Sequence, residues 1–375
     1  MTDNRPLARI GLVGAGFMGR CHANAFRSVG GLFDLPVRVE LTCLADVDDE
    51  TACRNARLLG FERATGDWRK LTTDSEIDIV AITAPNVLHE PVALDAIAHG
   101  KAVYCEKPLS TTAESAKRMA EAAAAAGVLT LVGFNFLRNP LIKLARDMIE
   151  GGEIGEVTSF RGRHAENYMA SPEVPHSFRT DRDGGGALND LGSHIISMAH
   201  YLVGPFAEVS ASLKTVHTER PVASGATEKR PVEVDDMAHA LVRFENGAAG
   251  SIEANWAASG RTMDLSFEAT GTEGSLHFSQ EHMNELHMWT SGGAPGRAGY
   301  TRLETGPDHP PYGRFCPAPG HHLGFNDLKV IEVAELLGAY ATGGGGFPDF
   351  AEATCVQHTI DAIRQAASEG CWIAV

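Results

Sequence analysis

Residues 8–26 read ARIGLVGAGFMGRCHANAF, an apolar run that breaks at once into three glycines spaced G-x-G-x-x-G and then into a stretch with helical character. This segment constrains the chain more than any other. A buried strand that turns sharply into a helix needs Gly14 for the tight turn and Gly19 for close packing of helix on strand. Gly16, between them, lets the backbone approach a pyrophosphate. The helix N-terminus adds free N–H groups and a partial positive charge for the same phosphates. Phe17 and Met18 lie inside the loop and belong to the same candidate site. The pattern points to a dinucleotide, although FAD and other nucleotide sites also use it.

The segments that follow keep the alternation that the first one starts. VELTCLAD, IDIVAIT, AVYCE and LTLVGFN are short apolar β-type runs, and between them lie helical stretches such as 89–99 and TAESAKRMAEAAAAAG. Strand and helix in turn mean βαβ units, hence a doubly wound parallel sheet. This phase closes near Glu150, after NPLIKLARDMIEGG. From GEVTSFRGRH onward the strands are longer and consecutive, with Asn-Gly and Gly-Thr-Glu-Gly turns, so residues 151–375 are predicted to form an α+β domain with a large, mainly antiparallel sheet. Residues 291–325, rich in Gly and Pro, are predicted as a surface excursion. Two closing helices, about 326–341 and 350–368, flank GGGG.

A chain of 375 residues suits two such domains, 1–150 and 151–375. Its formal charge of −16 argues against nucleic acid or an anionic membrane as partner, because both require a basic face. The start, MTDNRPLARIGLVG, shows no charged-then-apolar leader, and no apolar run approaches the roughly 18 residues of a membrane helix. Seven scattered cysteines without a C-x-x-C pair suit reduced thiols, so the expected compartment is the cytoplasm.

Three further features carry chemistry. Asp46 ends the second strand, where a carboxylate accepts hydrogen bonds from the adenosine ribose and repels a 2′-phosphate, favouring NAD over NADP; Asp48 and Asp49 are alternatives for the same task. Lys107, in VYCEKPLS, stands where an apolar strand runs out before Pro108. It is either a solvated edge charge or a group aimed at a ligand beyond the strand end. Asp190 and His194, in NDLGSH after a DGGGAL stretch predicted to be flexible, are four apart. On a helix they share a face, as a general base and its orienting carboxylate do, and as many plain surface pairs also do. Metal ligation is not expected: His282 and His287 lack zinc spacing, and there is no Walker loop or G-x-S-x-G elbow.

Taken in order, GAGFMG, TAPNVLH (83–89), CEKPLS (105–110), GGGALNDLGSH (184–194), VRFENGAAGSIEA and GTEGSL resemble the glucose–fructose oxidoreductase / inositol dehydrogenase (Gfo/Idh/MocA) family over almost the whole chain. The resemblance implies an NAD-dependent dehydrogenase that oxidises a secondary alcohol of a cyclic polyol or sugar by hydride transfer. It places Lys107 at the nicotinamide and the reacting hydroxyl, with His194, oriented by Asp190, moving the proton. Thr83, Pro85, Asn86, His89 and Glu106 would line the cofactor. Asn135, Phe136, His164, Asn167 and Arg179 would contact the substrate. A homo-oligomer, dimer or tetramer, would form through the C-terminal sheet. The finer similarity is to dehydrogenases of inositols, L-glucose and anhydrosugars, carried by GGLFDLP, GFNFLRNP and SFRGRHAENYM. One departure is Ser197, where many relatives carry Asp three residues after the histidine. Some similar proteins are NAD-retaining glycosidases, and a non-catalytic dinucleotide sensor is a third class.

Overall fold

The structure is a computed structural model and describes residues 5–293 and 296–375. The first elements alternate along the chain: β1 (Leu7–Val13), α1 (Phe17–Leu32), β2 (Arg38–Ala45), α2 (Asp49–Leu59), β3 (Arg63–Thr65), α3 (Trp68–Thr72), β4 (Ile79–Ile82), α4 (His89–Ala98), β5 (Ala102–Cys105), α5 (Ala113–Ala126) and β6 (Thr130–Val132). Asp48 and Thr112 cap α2 and α5 with side-chain oxygens, and left-handed Gly60 and Gly127 end them. The six strands pair in parallel in the order β3-β2-β1-β4-β5-β6. Strands covered on both faces need unbroken apolar runs, and Ile79–Ile82 and Val103–Cys105 are fully buried for that reason. The order reverses between β1 and β4, and beyond the carboxyl ends of strands flanking such a reversal lies the ligand crevice of an open parallel sheet.

The later elements are α6 (Pro140–Glu150), β7 (Val157–Ala165), α7 (Ser193–Leu202), β8 (Phe206–Lys214), β9 (Glu219–Pro221), β10 (Lys229–Pro231), β11 (Met237–Phe244), β12 (Ala249–Asn255), β13 (Asp264–Gly271), β14 (Gly274–Ser279), β15 (Glu285–Thr290), β16 (Thr301–Glu304), α8 (Phe325–Thr342), α9 (Phe350–Glu369) and β17 (Ile373–Ala374). Nine strands form a sheet ordered β16-β15-β14-β13-β7-β12-β11-β8-β17, in which only β7 and β12 run parallel. One face is covered and one is open, so the strands alternate. In β11, Ala238, Ala240, Val242 and Phe244 point inward while His239, Leu241 and Arg243 point out. Gly247, at φ +91°, makes the Asn-Gly hairpin turn between β11 and β12.

The chain divides into two compact units, 1–138 with 324–354, and 139–323 with 355–375. The first unit thus ends before α6 and regains α8, which puts its buried Leu328, Val330, Ile331 and Val333 into that core. The Gly/Pro-rich stretch 291–325 is less of an excursion than its composition suggests. It supplies β16 at the sheet edge, and Tyr312 within it is fully buried with its hydroxyl on the Ala318 carbonyl.

Candidate active site

The glycine loop follows the roles its spacing assigns. Gly14 has φ +91°, and a Cβ there would lie 3.0 Å from the Ala84 nitrogen; at Gly19 it would lie 2.3 Å from the Gly14 carbonyl oxygen. The Thr83 hydroxyl ties the loop to β4 by donating to that same oxygen at 2.6 Å. Gly16 differs, since a Cβ there would meet nothing within 4 Å. It caps α1 without a side-chain bond, and the first turn of that helix holds no acidic residue. The outcome is an open cradle of N–H groups at a helix N-terminus, which fits a diphosphate. Phe17, the first residue of α1 and 70% exposed, stacks on Phe325 at 5.9 Å; Phe325 in turn meets Phe136 edge-on at 5.9 Å.

Of the three aspartates after β2, two have structural duties. Asp48 caps α2 by accepting from Thr51 N, and Asp49 accepts from Gly66 N at 2.6 Å. Asp46, half-buried at the strand end, has one oxygen on Val47 N and the other on the Asn55 amide, which fixes the carboxylate at the carboxyl end of β2.

Two of the residues expected to line the cofactor, His89 and Glu106, are buried. His89 is 1% exposed, and its ring nitrogens lie 2.9 Å and 3.0 Å from the carbonyls of Pro108 and Ala84, so it braces the Pro85–Asn86 turn against the strand end of Lys107. Burial holds its pKa below the usual range, and a neutral ring donates to only one of those carbonyls at a time. Glu106 is 4% exposed, and its Oε1 accepts from His22 Nε2 at 2.8 Å and Lys329 Nζ at 2.9 Å. Burial alone would raise this carboxyl, but Lys329 and His22 outweigh it and hold Glu106 well below the ordinary range. Lys329 also meets Glu332 Oε2 at 2.6 Å, and the Tyr104 hydroxyl donates to that oxygen. His22 stacks on Tyr104 at 4.4 Å. His22, Lys329, Glu332 and Phe325 are absent from the sequence reading. They lie up to 308 residues from their partners, as Phe325 does from Phe17, and the only local trace is a Lys–Glu pair three apart inside an apolar helix. Lys107 itself is half-buried at the strand end, and Asn135, 3% exposed just past β6, has an amide nitrogen without a partner.

In the second unit the stretch around His194 is not one α-helix. Leu188–Gly192 winds as a π-turn before α7, a departure common at functional sites. Nor is the glycine run before it loose. A Cβ at Gly184 would lie 1.8 Å from the Phe178 carbonyl, one at Gly185 would meet the Asn189 side chain at 2.6 Å, and one at Gly186 would lie 2.5 Å from Asp235 Oδ1. Packing of backbone against these neighbours, rather than flexibility, demands the three glycines. The Asp190 carboxylate accepts from the Tyr168 hydroxyl at 2.7 Å and from Arg179 Nε at 3.2 Å. Surrounding protein and the Asp190 charge hold the Tyr168 proton on, well above the ordinary phenol range. His194, 7% exposed, has its ring 5.4 Å from that of His164, whose nitrogens face the Leu191 carbonyl (3.1 Å) and Glu166 (2.9 Å). Asn167, next in the chain to Glu166, is exposed. Glu166 and Tyr168 were missed although RHAENY contains both. Among the described residues there is no cluster able to hold a metal ion and no helix long and apolar enough to cross a membrane.

Comparison with known proteins agrees with this geometry. Residues 8–134 match the oxidoreductase family with NAD-binding Rossmann fold, and residues 142–277 match the GFO/IDH/MocA C-terminal domain. Levoglucosan dehydrogenase of Pseudarthrobacter phenanthrenivorans is 39% identical over 98% of this chain and 97% of its own. The scyllo-inositol 2-dehydrogenase (NAD(+)) of Bacillus subtilis is 30% identical over 72% of each chain. The solved structure of levoglucosan dehydrogenase in complex with NADH and levoglucosan superposes with TM-score 0.95 at 39% identity, over 98% of this chain and 99% of that one. With both family domains present in order and a phosphate cradle open at Gly16, this chain belongs to the Gfo/Idh/MocA family of NAD-dependent oxidoreductases.

Proposed function

We propose that the protein oxidises a secondary alcohol on the ring of a sugar, an anhydrosugar or an inositol, with NAD as acceptor. The observation that carries this reading is the end-to-end similarity to levoglucosan dehydrogenase, and the buried Asn135 amide without a partner supports it. NAD would supply the acceptor for the hydride of the carbinol carbon. The chain does the rest. The Gly16 cradle binds the diphosphate, and Asp46 selects an unphosphorylated ribose. Lys107 holds the substrate hydroxyl, and His194 removes its proton. The expected dyad of His194 with Asp190 is part of this proposal. Asp190 is itself fixed by Tyr168 and Arg179, so it offers a stationary charge to the imidazolium that forms.

Asn135, Phe136, His164, Asn167 and Arg179 remain the proposed substrate contacts. The unsatisfied Asn135 amide supports its place among them, because a buried donor without an acceptor is costly until a ligand supplies one. Pairing of copies through the open face of the nine-stranded sheet, where Leu241 is 57% exposed between outward His239 and Arg243, would give the dimer or tetramer. Seven free cysteines accord with a reducing compartment such as the cytoplasm.

The test is initial rate of NADH formation on levoglucosan, L-glucose, scyllo-inositol and myo-inositol, with light scattering for assembly. Turnover on at least one of these supports the reading. Release of a leaving group from a glycoside without net NADH would replace it with the NAD-retaining glycosidase.

A further inference from the structure

Helix α8 brings two charged side chains, Lys329 and Glu332, into the first unit with no exposure at all. They form a chain of contacts that ends at the candidate catalytic segment. Tyr104 donates to Glu332, Glu332 holds Lys329 at 2.6 Å, Lys329 holds Glu106 Oε1 at 2.9 Å, and Glu106 Oε2 faces the Lys107 backbone N–H at 3.3 Å. Gly133 makes room for the carboxylate, since a Cβ there would lie 2.7 Å from Oε1. The titratable groups around Glu106 are Cys21 and His22 from α1, His89 from α4, Tyr104 and Cys105 from its own strand, and Lys329 from α8. Of these, Lys329 carries the positive charge, while burial and the Lys329 charge keep His22 neutral. Glu106 sits at the carboxyl end of β5, on the half of the sheet beyond the reversal of strand order, where the second half of a dinucleotide binds.

We propose that Lys329 is a positioning residue for the cofactor site: it locks Glu106 as a carboxylate, so that a fixed negative charge at the nicotinamide end favours the oxidised, positively charged dinucleotide over the reduced one. This rests on the reading that places the nicotinamide beyond β5. Lys329 is shared between Glu106 and Glu332, so these three groups keep one net negative charge, and a unit charge near a partly desolvated ring is enough for a preference of about tenfold.

Full-length wild-type and variant proteins are titrated with NAD+ and NADH, by calorimetry and by NADH fluorescence, between about pH 5.5 and 8.5, a range above the ordinary carboxylate pKa. In Glu106→Gln, NAD+ affinity falls about tenfold, and NADH affinity changes by no more than about twofold. In Lys329→Met the buried Glu106 loses its cation and its pKa rises, so the NAD+ preference declines as pH falls, while the wild type stays flat. In Lys329→Met/Glu106→Gln the pH dependence vanishes and the affinity ratio is that of Glu106→Gln. Should Lys329→Met alone fail to fold, the double variant decides, because removing the stranded carboxylate restores the fold if the lysine serves that charge. Equal weakening of both dinucleotides by Glu106→Gln, a pH-independent Lys329→Met, or a double variant no more stable than Lys329→Met overturns the inference. The underlying site reading fails separately, through a Lys107→Met protein of undiminished turnover.

Discussion

The strand end at Cys105–Lys107 and the turn at Gly184–His194 each engage a buried carboxylate, and they handle its charge in opposite ways. Glu106 is paired with a buried lysine and a histidine, so it stays ionised although water is excluded. Asp235 instead accepts the Leu188 N–H at 2.8 Å, at the start of the π-turn that precedes His194 in the chain. Burial pushes its carboxyl up to about 6, against that bond and the attraction of Arg364. The signs of their pH linkage therefore differ. Glu106 contributes stability above the ordinary carboxylate range and loses it only on strong acidification. Asp235 contributes stability that is complete below about pH 4 and is lost as pH rises through about 6. A fully paired buried charge is a permanent feature of the first unit, whereas the turn in the second keeps groups that can change protonation.

The largest effect that sharpens this contrast lies in the second unit. His194→Ala is expected to lower kcat by about 10²–10⁴, with NADH affinity nearly unchanged, and Asp190→Ala added to it to cost little more, because a base and its orienting group act as one. Steady-state kinetics on the best substrate check both. Lys329→Met should act on stability instead. Breaking a buried pair from one side costs about 3–5 kcal/mol, whereas Arg179→Met, whose partnership with Asp190 is 42% exposed on the arginine side, should cost at most about 1 kcal/mol. Denaturant unfolding compares the two, and equal losses would break the distinction between a closed and an open cluster. Lys107→Met is expected to lose about 10²-fold in kcat while still binding NADH, as removal of one transition-state donor does. Asp46→Ala should narrow the preference of kcat/KM for NAD over NADP by about tenfold, or about 1.4 kcal/mol. Smallest is Asp235→Asn. It should flatten the fall in thermal midpoint that the wild type shows as pH rises from about 4 to about 7, and a wild-type curve with no such fall would remove Asp235 from the comparison.

Much of the fold was legible because the strongest signals are local. The glycine spacing after β1, the unbroken apolar runs of β4 and β5 and the alternation in β11 each reflect a period or a steric demand set by near neighbours. The two closing helices likewise fall within a residue or two of their predicted ends. Local signals misled where close packing resembles looseness. DGGGAL reads as flexible, yet its glycines are required by backbone contacts to Phe178, Asn189 and Asp235. The Asp190–His194 spacing assumed a regular helix, whereas Leu188–Gly192 winds as a π-turn and Asp190 also accepts from Tyr168 and Arg179.

By itself the sequence determined most of the element types and the glycine loop at Gly14, Gly16 and Gly19, because each follows from residue type and spacing along a few turns of chain; Lys107, Asp190 and His194 it offered as candidates. Only the tertiary structure decided that α8 joins the first unit, that Lys329 and Glu332 hold Glu106, and that Tyr168 and Arg179 hold Asp190. A buried charge is tolerated only where its counter-charge arrives, and for Glu106 that counter-charge lies 223 residues away, a distance that only folding closes.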